Sequence, residues 1–382
     1  MPFLHLFFLF LGIFFLCFPY IFTFFLSFFQ KKHEFTLYSG SPLVSIIIPA
    51  CNEEKNIKTK IENTLSLKYE NKEIIVVSDG STDGTNDILK SYSEKIKTII
   101  LKNRTGKPIA INTGISSASG EFIILTDSTV ILNPETIEKM LSPFSDEDIS
   151  IVFGRIIFEK YFYSSMTQGE LSYWEYENYI RKIQSNFGFT PSVIGGLCCF
   201  KKSFFIPIPE NVVADDLFLL FSLCRNNMKS YYIDLPLGIE KNLKSTQGEF
   251  HRKIRVISGG WSFLFNYSFR FMNIKKMILF FSCKLSRWIA PFFFYAHLIT
   301  LFIVKNSLSA KYIIYSYLII FLLIVFEAMF RFIFQAIFSY KDIKIRWLSY
   351  PFYFIMTILA GILGFLKFLF HPQSVKWRLG ER

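Results

Sequence analysis

None of the six cysteines, Cys17, Cys51, Cys198, Cys199, Cys224 and Cys283, has a C-x-x-C partner, so neither a zinc site nor a disulfide framework is indicated. The five histidines, His5, His33, His251, His297 and His371, stand at no metal-ligand spacing, and no Ser-His-Asp arrangement is evident. The apolar stretch at the N-terminus lacks the basic n-region, the short h-region and the small-x-small site of a cleaved secretion signal. It therefore reads as a permanent anchor. Internal repeats are absent, and low-complexity sequence is confined to phenylalanine-rich apolar runs.

Apolar residue types are abundant: they make up 51% of the 382 residues, with 47 phenylalanines among them. Such a composition places much of the chain in lipid. Runs at 3–29, 285–304, 312–338 and 347–370 are long enough to cross a hydrocarbon core of about 30 Å. The chain divides accordingly into an anchor over 1–30, a domain over 31–275 large enough for its own core, and a membrane unit over 276–382 with about three apolar helices. Lys31 and Lys32 follow the anchor directly, which by the positive-inside rule keeps that domain on the cytoplasmic face of a bacterial-type cell membrane. The net charge of +12 is concentrated between Lys241 and Arg287, where ten basic residues and one acid precede the second apolar run. That position favours anionic lipid headgroups as the partner, not nucleic acid.

From Val44 the pattern alternates strand and helix, as expected for an α/β domain with a mostly parallel sheet. Val44 to Ile48 reads as a strand ended by Pro49, and Ile57, Ile61 and Leu65 mark the apolar stripe of a helix over 53–66. Strands at 73–78, 96–101 and 122–126 and helices at 85–92 and about 108–117 continue the series. Polar clusters fall at the strand ends, where such sheets bind ligands. They are Pro49-Ala50-Cys51-Asn52-Glu53-Glu54, Asp79-Gly80-Ser81-Thr82-Asp83-Gly84 and Asp127-Ser128-Thr129. Each alone is an ordinary turn; together they converge on one crevice.

The strings VSIIIPACNEE and IIVVSDGSTDGT resemble the opening of the family 2 glycosyltransferases, whose catalytic domain has the GT-A fold. The resemblance continues through GKPIAIN, FIILTDSTV, GGLCCFKKSFF and the acid pair of VADD, and covers nearly all of 42–260. It implies inverting sugar transfer from a nucleotide-diphosphate donor, a UDP-sugar, to a polysaccharide or lipid-linked acceptor at the bilayer. On this resemblance Asp79 would hold the base or ribose. Asp127 would lie beside the diphosphate as the first acid of the family's D-x-D, and Lys107 would serve as a point charge there. Asn52 and Glu53 belong to the same donor site, and Gly195 and Gly196 to the acceptor side. Asp216, second of the Asp215-Asp216 pair, would be the general base, with Asp215 as a cap or substrate-orienting group.

Two departures stand out. The second acid of D-x-D is Thr129, so a divalent cation, magnesium or manganese, would rest on Asp127 with a weaker hydroxyl ligand. Where processive members carry Q-x-x-R-W, this chain has HRKIR, so Arg252, Lys253 and Arg255 would neutralise diphosphate without the aromatic. That loss leaves chain extension and single addition to a lipid carrier as alternatives. Tyr173, Trp174, Tyr176 and Tyr179 lie on a helix expected over 169–180, and core packing accounts for them better than sugar stacking. A transporter would need polar residues within its spans, and Glu327 with Arg331 reads as one internal ion pair. A non-catalytic scaffold would not be expected to keep Asp79, Asp127 and Asp216.

Overall fold

The computed structural model describes residues 3–30, 33–158, 167–191, 195–240, 246–267, 271–319 and 349–370. Lys31, Lys32, Glu327, Arg331 and most of the third apolar run lie outside them.

Eight strands form one mixed sheet: β1 Val44–Ala50, β2 Lys72–Asp79, β3 Lys97–Leu101, β4 Phe122–Thr126, β5 Val130–Leu132, β6 Ile149–Phe158, β7 Leu197–Lys201 and β8 Lys229–Glu240. Their order is β3-β2-β1-β4-β7-β6-β8-β5. The first four are parallel, as the sequence pattern predicts. Beyond β4 the pairing is mixed: β7 runs antiparallel to both β4 and β6, β6 is parallel to β8, and β5 is antiparallel to β8.

Helices cover both faces, which is why the strands read as continuous apolar runs and not as alternating ones. Ile47, Ile75, Val77, Ile123 and Leu125 point toward α4 (Lys107–Ser116), while Ile46, Ile48, Ile74, Val76 and Ile124 pack with α2 (Glu54–Leu65) on the other face. Successive residues of a strand face opposite ways, so each five-residue run supplies two cores. Pro49 does not end β1. It pairs with Val77 of β2, whereas pairing with β4 stops at Ile47 opposite Leu125, so the missing N–H falls on an unladdered edge. The buried face of α2 is Ile57, Lys60, Ile61 and Thr64, with Leu65 turned partly outward.

Leu4–Ser27 (α1) and the 30-residue stretch Ile274–Ile303 are long and apolar enough to cross a membrane. The latter comprises α9 (Ile274–Phe280), a π-helical turn and α10 (Ser286–Ile303). Residues 308–319 are helical, and Ser349–Phe370 forms the last described helix. α1 lies along α10, with Phe15 stacked on Phe293 at 5.1 Å between ring centres. The helix expected over 169–180 runs from Thr167 to Ser185 (α6); of its aromatics Tyr176 packs as anticipated, against Tyr20 of α1 with ring centres 4.3 Å apart, whereas Tyr179 is exposed and the Tyr173 side chain lies outside the described residues. On the same helix Glu177 is buried between Arg181 and Arg287 of α10. Their charges and a hydrogen bond from Arg287 hold its carboxyl below the usual range although burial alone would raise it.

At the other end of the sheet, Glu73 at the start of β2 accepts from Ser45 Oγ and Ser119 N at 2.5 Å each and from Gly120 N at 3.1 Å. Burial pushes this carboxyl up, but the three hydrogen bonds and the Lys97 charge bring it below its ordinary value. A depressed folded pKa contributes stability above the unfolded value of about 4.3 and loses it as pH falls through the folded value. Glu73→Gln should therefore lower the unfolding midpoint at pH 7 and flatten its decline below about pH 4.3, measured by thermal unfolding in detergent. A parallel acid profile in parent and variant would contradict this.

Candidate active site

The crevice is built at the carboxyl ends of β1, β2 and β4. The first two polar clusters are knitted to each other. Asn52, held at φ 55°, accepts at Oδ1 from Thr82 N (2.8 Å) and donates its backbone N–H to Ser81 Oγ (3.1 Å). The buried Glu53 donates its N–H to Thr85 Oγ1 and accepts from the Asn56 side chain. Left-handed backbone suits Asn, whose short side chain bonds locally. Both residues shape the rim of the crevice.

Asp79, at the end of β2, is fully buried. One carboxylate oxygen accepts from Thr105 N and Oγ1 at 2.7 Å each and the other from Gly106 N at 2.8 Å. Gly106 precedes α4 with φ 111°, a conformation that only glycine adopts without strain. The next residue is Lys107, so Asp79 sets where that ammonium starts from.

Lys107 reaches across the crevice. Its Nζ lies 2.9 Å from Asp127 Oδ1 and 3.4 Å from Asp215 Oδ2, with side-chain exposures of 19%, 22% and 16% for the three groups. Burial, with Asp216 and Asp127 nearby, holds the Asp215 carboxyl above the usual carboxylate range, and Lys107 only partly offsets this. Asp215 and Asp216 open α7 (Asp215–Leu223), but its N-cap is Ala214, which makes no side-chain cap. Asp215 is therefore not the cap, while Asp216 Oδ1 accepts from Leu217 N at 2.8 Å.

Gly195 and Gly196 fit between the acids. Asp127 N donates to Gly196 O at 3.2 Å, and a Cβ on Gly195 would stand 3.1 Å from that of Asp216. A side chain at Gly195 would crowd Asp216, whereas one at Gly196 would first meet Ile156, whose Cδ1 lies 2.8 Å from where its Cβ would stand. On the far side of the acidic turn, Thr129 Oγ1 donates to Glu240 Oε1 at 3.3 Å. Sequence reasoning missed Glu240, which lies 111 positions away at the end of β8. Its only sequence signal is an acid ending a strand.

Residues 45–208 match the model of the Glycosyl transferase family 2. The chain carries a family 2 glycosyltransferase domain. Over 246 residues it is 25% identical to a poly-beta-1,6-N-acetyl-D-glucosamine synthase of Staphylococcus aureus (strain COL), a stretch that is 62% of this chain and 59% of that protein. It is 33% identical to the glycosyltransferase GlyG of Streptococcus pneumoniae serotype 4 over 117 residues, 30% of this chain and 39% of GlyG. The chain thus spans well under two thirds of the length of these curated relatives. A mannosyltransferase from Pyrobaculum calidifontis, solved with GDP-Man and Mn2+, superposes with a TM-score of 0.73 at 19% identity, covering 96% of this chain and 99% of that one. The fold is GT-A.

The basic segment Arg252 to Arg255 lies beyond the matched residues, on α8 (Thr246–Asn266). The guanidinium groups of Arg252 and Arg181 each stand over the Trp174 ring, 5.5 Å from its centre, which tethers α8 to α6 through cation–π contacts. One turn beyond Arg255, Gly259 packs on Val213 and Ala214 directly before the acid pair, which sets α8 beside α7. Lys253 is half-buried on the same helix and Arg255 is exposed.

Asp79→Asn replaces one acceptor oxygen with a donor facing the N–H groups of the 105–106 loop. It should destabilise the chain by about 1–3 kcal/mol and release Lys107. Thermal unfolding together with hydrogen exchange at Thr105 and Gly106 measures both, and unchanged protection of those amides would show that Asp79 does not hold the loop.

Proposed function

We propose that this chain is an inverting glycosyltransferase that moves a sugar from a nucleoside-diphosphate donor, a UDP-sugar, to a polysaccharide or lipid-linked acceptor at the membrane surface. The observation that carries the reading is the Lys107 bridge between Asp127 and Asp215, set at the strand ends of a family 2 domain. Membership of a group that includes a polysaccharide synthase supports the acceptor class. Two apolar helices packed beside the domain support a membrane location, with the domain on the cytoplasmic side, where sugar nucleotides are made.

In this reading the acceptor hydroxyl oxygen attacks the anomeric carbon from the face opposite the diphosphate. The new C–O bond forms as the bond to the phosphate oxygen breaks. Asp216 takes the hydroxyl proton, because a sugar hydroxyl is a poor nucleophile until a placed base removes it. Lys107 moves from its carboxylate partners to the departing diphosphate, and Arg252, Lys253 and Arg255 add charge from α8.

The donor atoms around the acidic turn suit a hard divalent cation, magnesium or manganese: Asp127 and Glu240 are carboxylates, and Thr129 is a hydroxyl. Among the described residues no three His, Cys, Asp or Glu side chains form a ready cage. That fits an ion of the magnesium type, which is commonly held by one or two carboxylates together with substrate phosphates. Asp127 would be its main protein ligand, and its chemistry would be charge neutralisation of the diphosphate. The HRKIR stretch lacks the tryptophan of the family's Q-x-x-R-W, which favours a single addition over processive extension, and the length of the product separates the two.

Asp216→Asn should preserve donor binding and lower turnover by about 100-fold to 10,000-fold, with Asp215→Asn affected less. Purified protein in lipid, given a panel of UDP-sugars and GDP-mannose and assayed for released nucleotide, reports both. Half of parental turnover in Asp216→Asn beside an inactive Asp215→Asn would reverse the assignment within the pair. Thr129→Asp should lower the cation concentration needed for half-maximal activity by adding a charged ligand. Full activity in excess chelator would remove the cation from the reading and leave the basic residues as the neutralising groups.

A further inference from the structure

The turn that carries Asp127 is gripped from beneath by a residue that the reaction scheme leaves unused. Lys60 lies on the buried face of α2, three positions after Ile57 and directly before Ile61, and is fully buried. Its Nζ donates to Thr126 Oγ1 at 3.0 Å and to Val130 O at 2.5 Å, one residue before Asp127 and one after Thr129. One turn further along α2, Asn63 donates to Leu132 O at 2.9 Å and accepts from Leu132 N at 2.8 Å. These bonds fasten β5 to the same helix.

A tether alone does not call for an ammonium. Asn63 achieves one without charge, and an apolar side chain at position 60 would fill the space with no desolvation cost. Burial pulls the Lys60 pKa down to about 7, against which the Asp127 carboxylate favours the charged form. The charge is therefore felt at the acidic turn through its backbone side, opposite the crevice.

We propose that Lys60 is a positioning residue of the donor site, an ammonium under the turn that fixes Asp127 in place and lends positive charge to the diphosphate position. This rests on the reading of Asp127 and Lys107 as donor-site residues. Lys60 offsets Asp127 from behind, so that Lys107 can exchange its carboxylate partner for the anionic ligand. The same charge opposes a metal cation that arrives without nucleotide.

The test uses the full chain in lipid nanodiscs at pH 6. UDP binding is measured by calorimetry, and Mn2+ binding without nucleotide by electron paramagnetic resonance. Lys60→Met should weaken UDP by about 10-fold to 100-fold, what one unit charge is worth at several ångströms in a partly desolvated site, while Mn2+ binding holds or tightens. Lys60→Arg, which keeps the charge, should recover at least part of the UDP affinity. Lys60→Gln carries the same expectation as Lys60→Met should the methionine variant fail to fold. Unchanged UDP affinity, or UDP and Mn2+ weakening together, would overturn the proposal and leave Lys60 a tether. Lys107→Ala separates the two levels of failure. If it weakens UDP and Lys60→Met does not, the donor site stands and only the Lys60 role falls; if neither weakens UDP, the donor-site reading itself fails.

Discussion

Lys107 Nζ joins Asp127 and Asp215, and these two acids are held by different parts of the molecule. Asp127 directly follows β4 in the centre of the sheet, whereas Asp215 opens α7, whose residues from Leu217 to Leu223 are all buried. Three carboxylates crowd this crevice, and one ammonium stands between two of them. Burial raises the Asp215 carboxyl above its usual range, Asp216 and Asp127 add to that rise, and the Lys107 cation only partly offsets it. Its position is in turn fixed by Asp79 through Gly106. A buried carboxylate at the end of β2 thus governs charge at the end of β4 and the start of α7.

The parts legible in the sequence are those that depend on short spacing. The four parallel strands, their helices and the three polar turns follow from periodicity and turn chemistry, and the motif strings place Asp127, Lys107 and the acid pair in one crevice. Pro49 was misleading because a proline blocks a strand only where a partner needs its N–H, and that partner is absent on the β4 side. Antiparallel pairing beyond β4 is hidden in the sequence because direction is set by connections across long segments, not by composition. Glu240 and Lys60 escaped notice for a related reason, since each acts across more than sixty positions. Lys60 alone left a trace: a lysine at i+3 from Ile57 sits on the apolar stripe, where a solvated residue has no place.

The buried cluster of Glu177 with Arg181 and Arg287 had no such trace. Glu177 reads as one polar residue in an aromatic helix, and Arg287 as one more charge in a basic juxtamembrane stretch. Their pairing joins α6 of the catalytic domain to α10, and Tyr20 against Tyr176 joins α6 to α1. Losing one partner of such a cluster leaves a buried charge uncompensated, which makes it a rigid connection.

The same division runs through the site. α7 packs its Phe218 on Tyr267 and Phe271, and its Phe221 on Phe263 of α8 and Phe280 of α9. The acid pair is thereby carried by helices that continue into the apolar stretch Ile274–Ile303, while Asp79 and Asp127 are carried by the sheet. Lys107, starting from the sheet side, is the polar link across the gap. A small movement of α7 and α8 relative to the sheet would change the 3.4 Å pair with Asp215 before it disturbed the 2.9 Å pair with Asp127, which α4 and β4 hold within one packed body. The acids of α7 and the acids of the sheet are therefore mechanically separable.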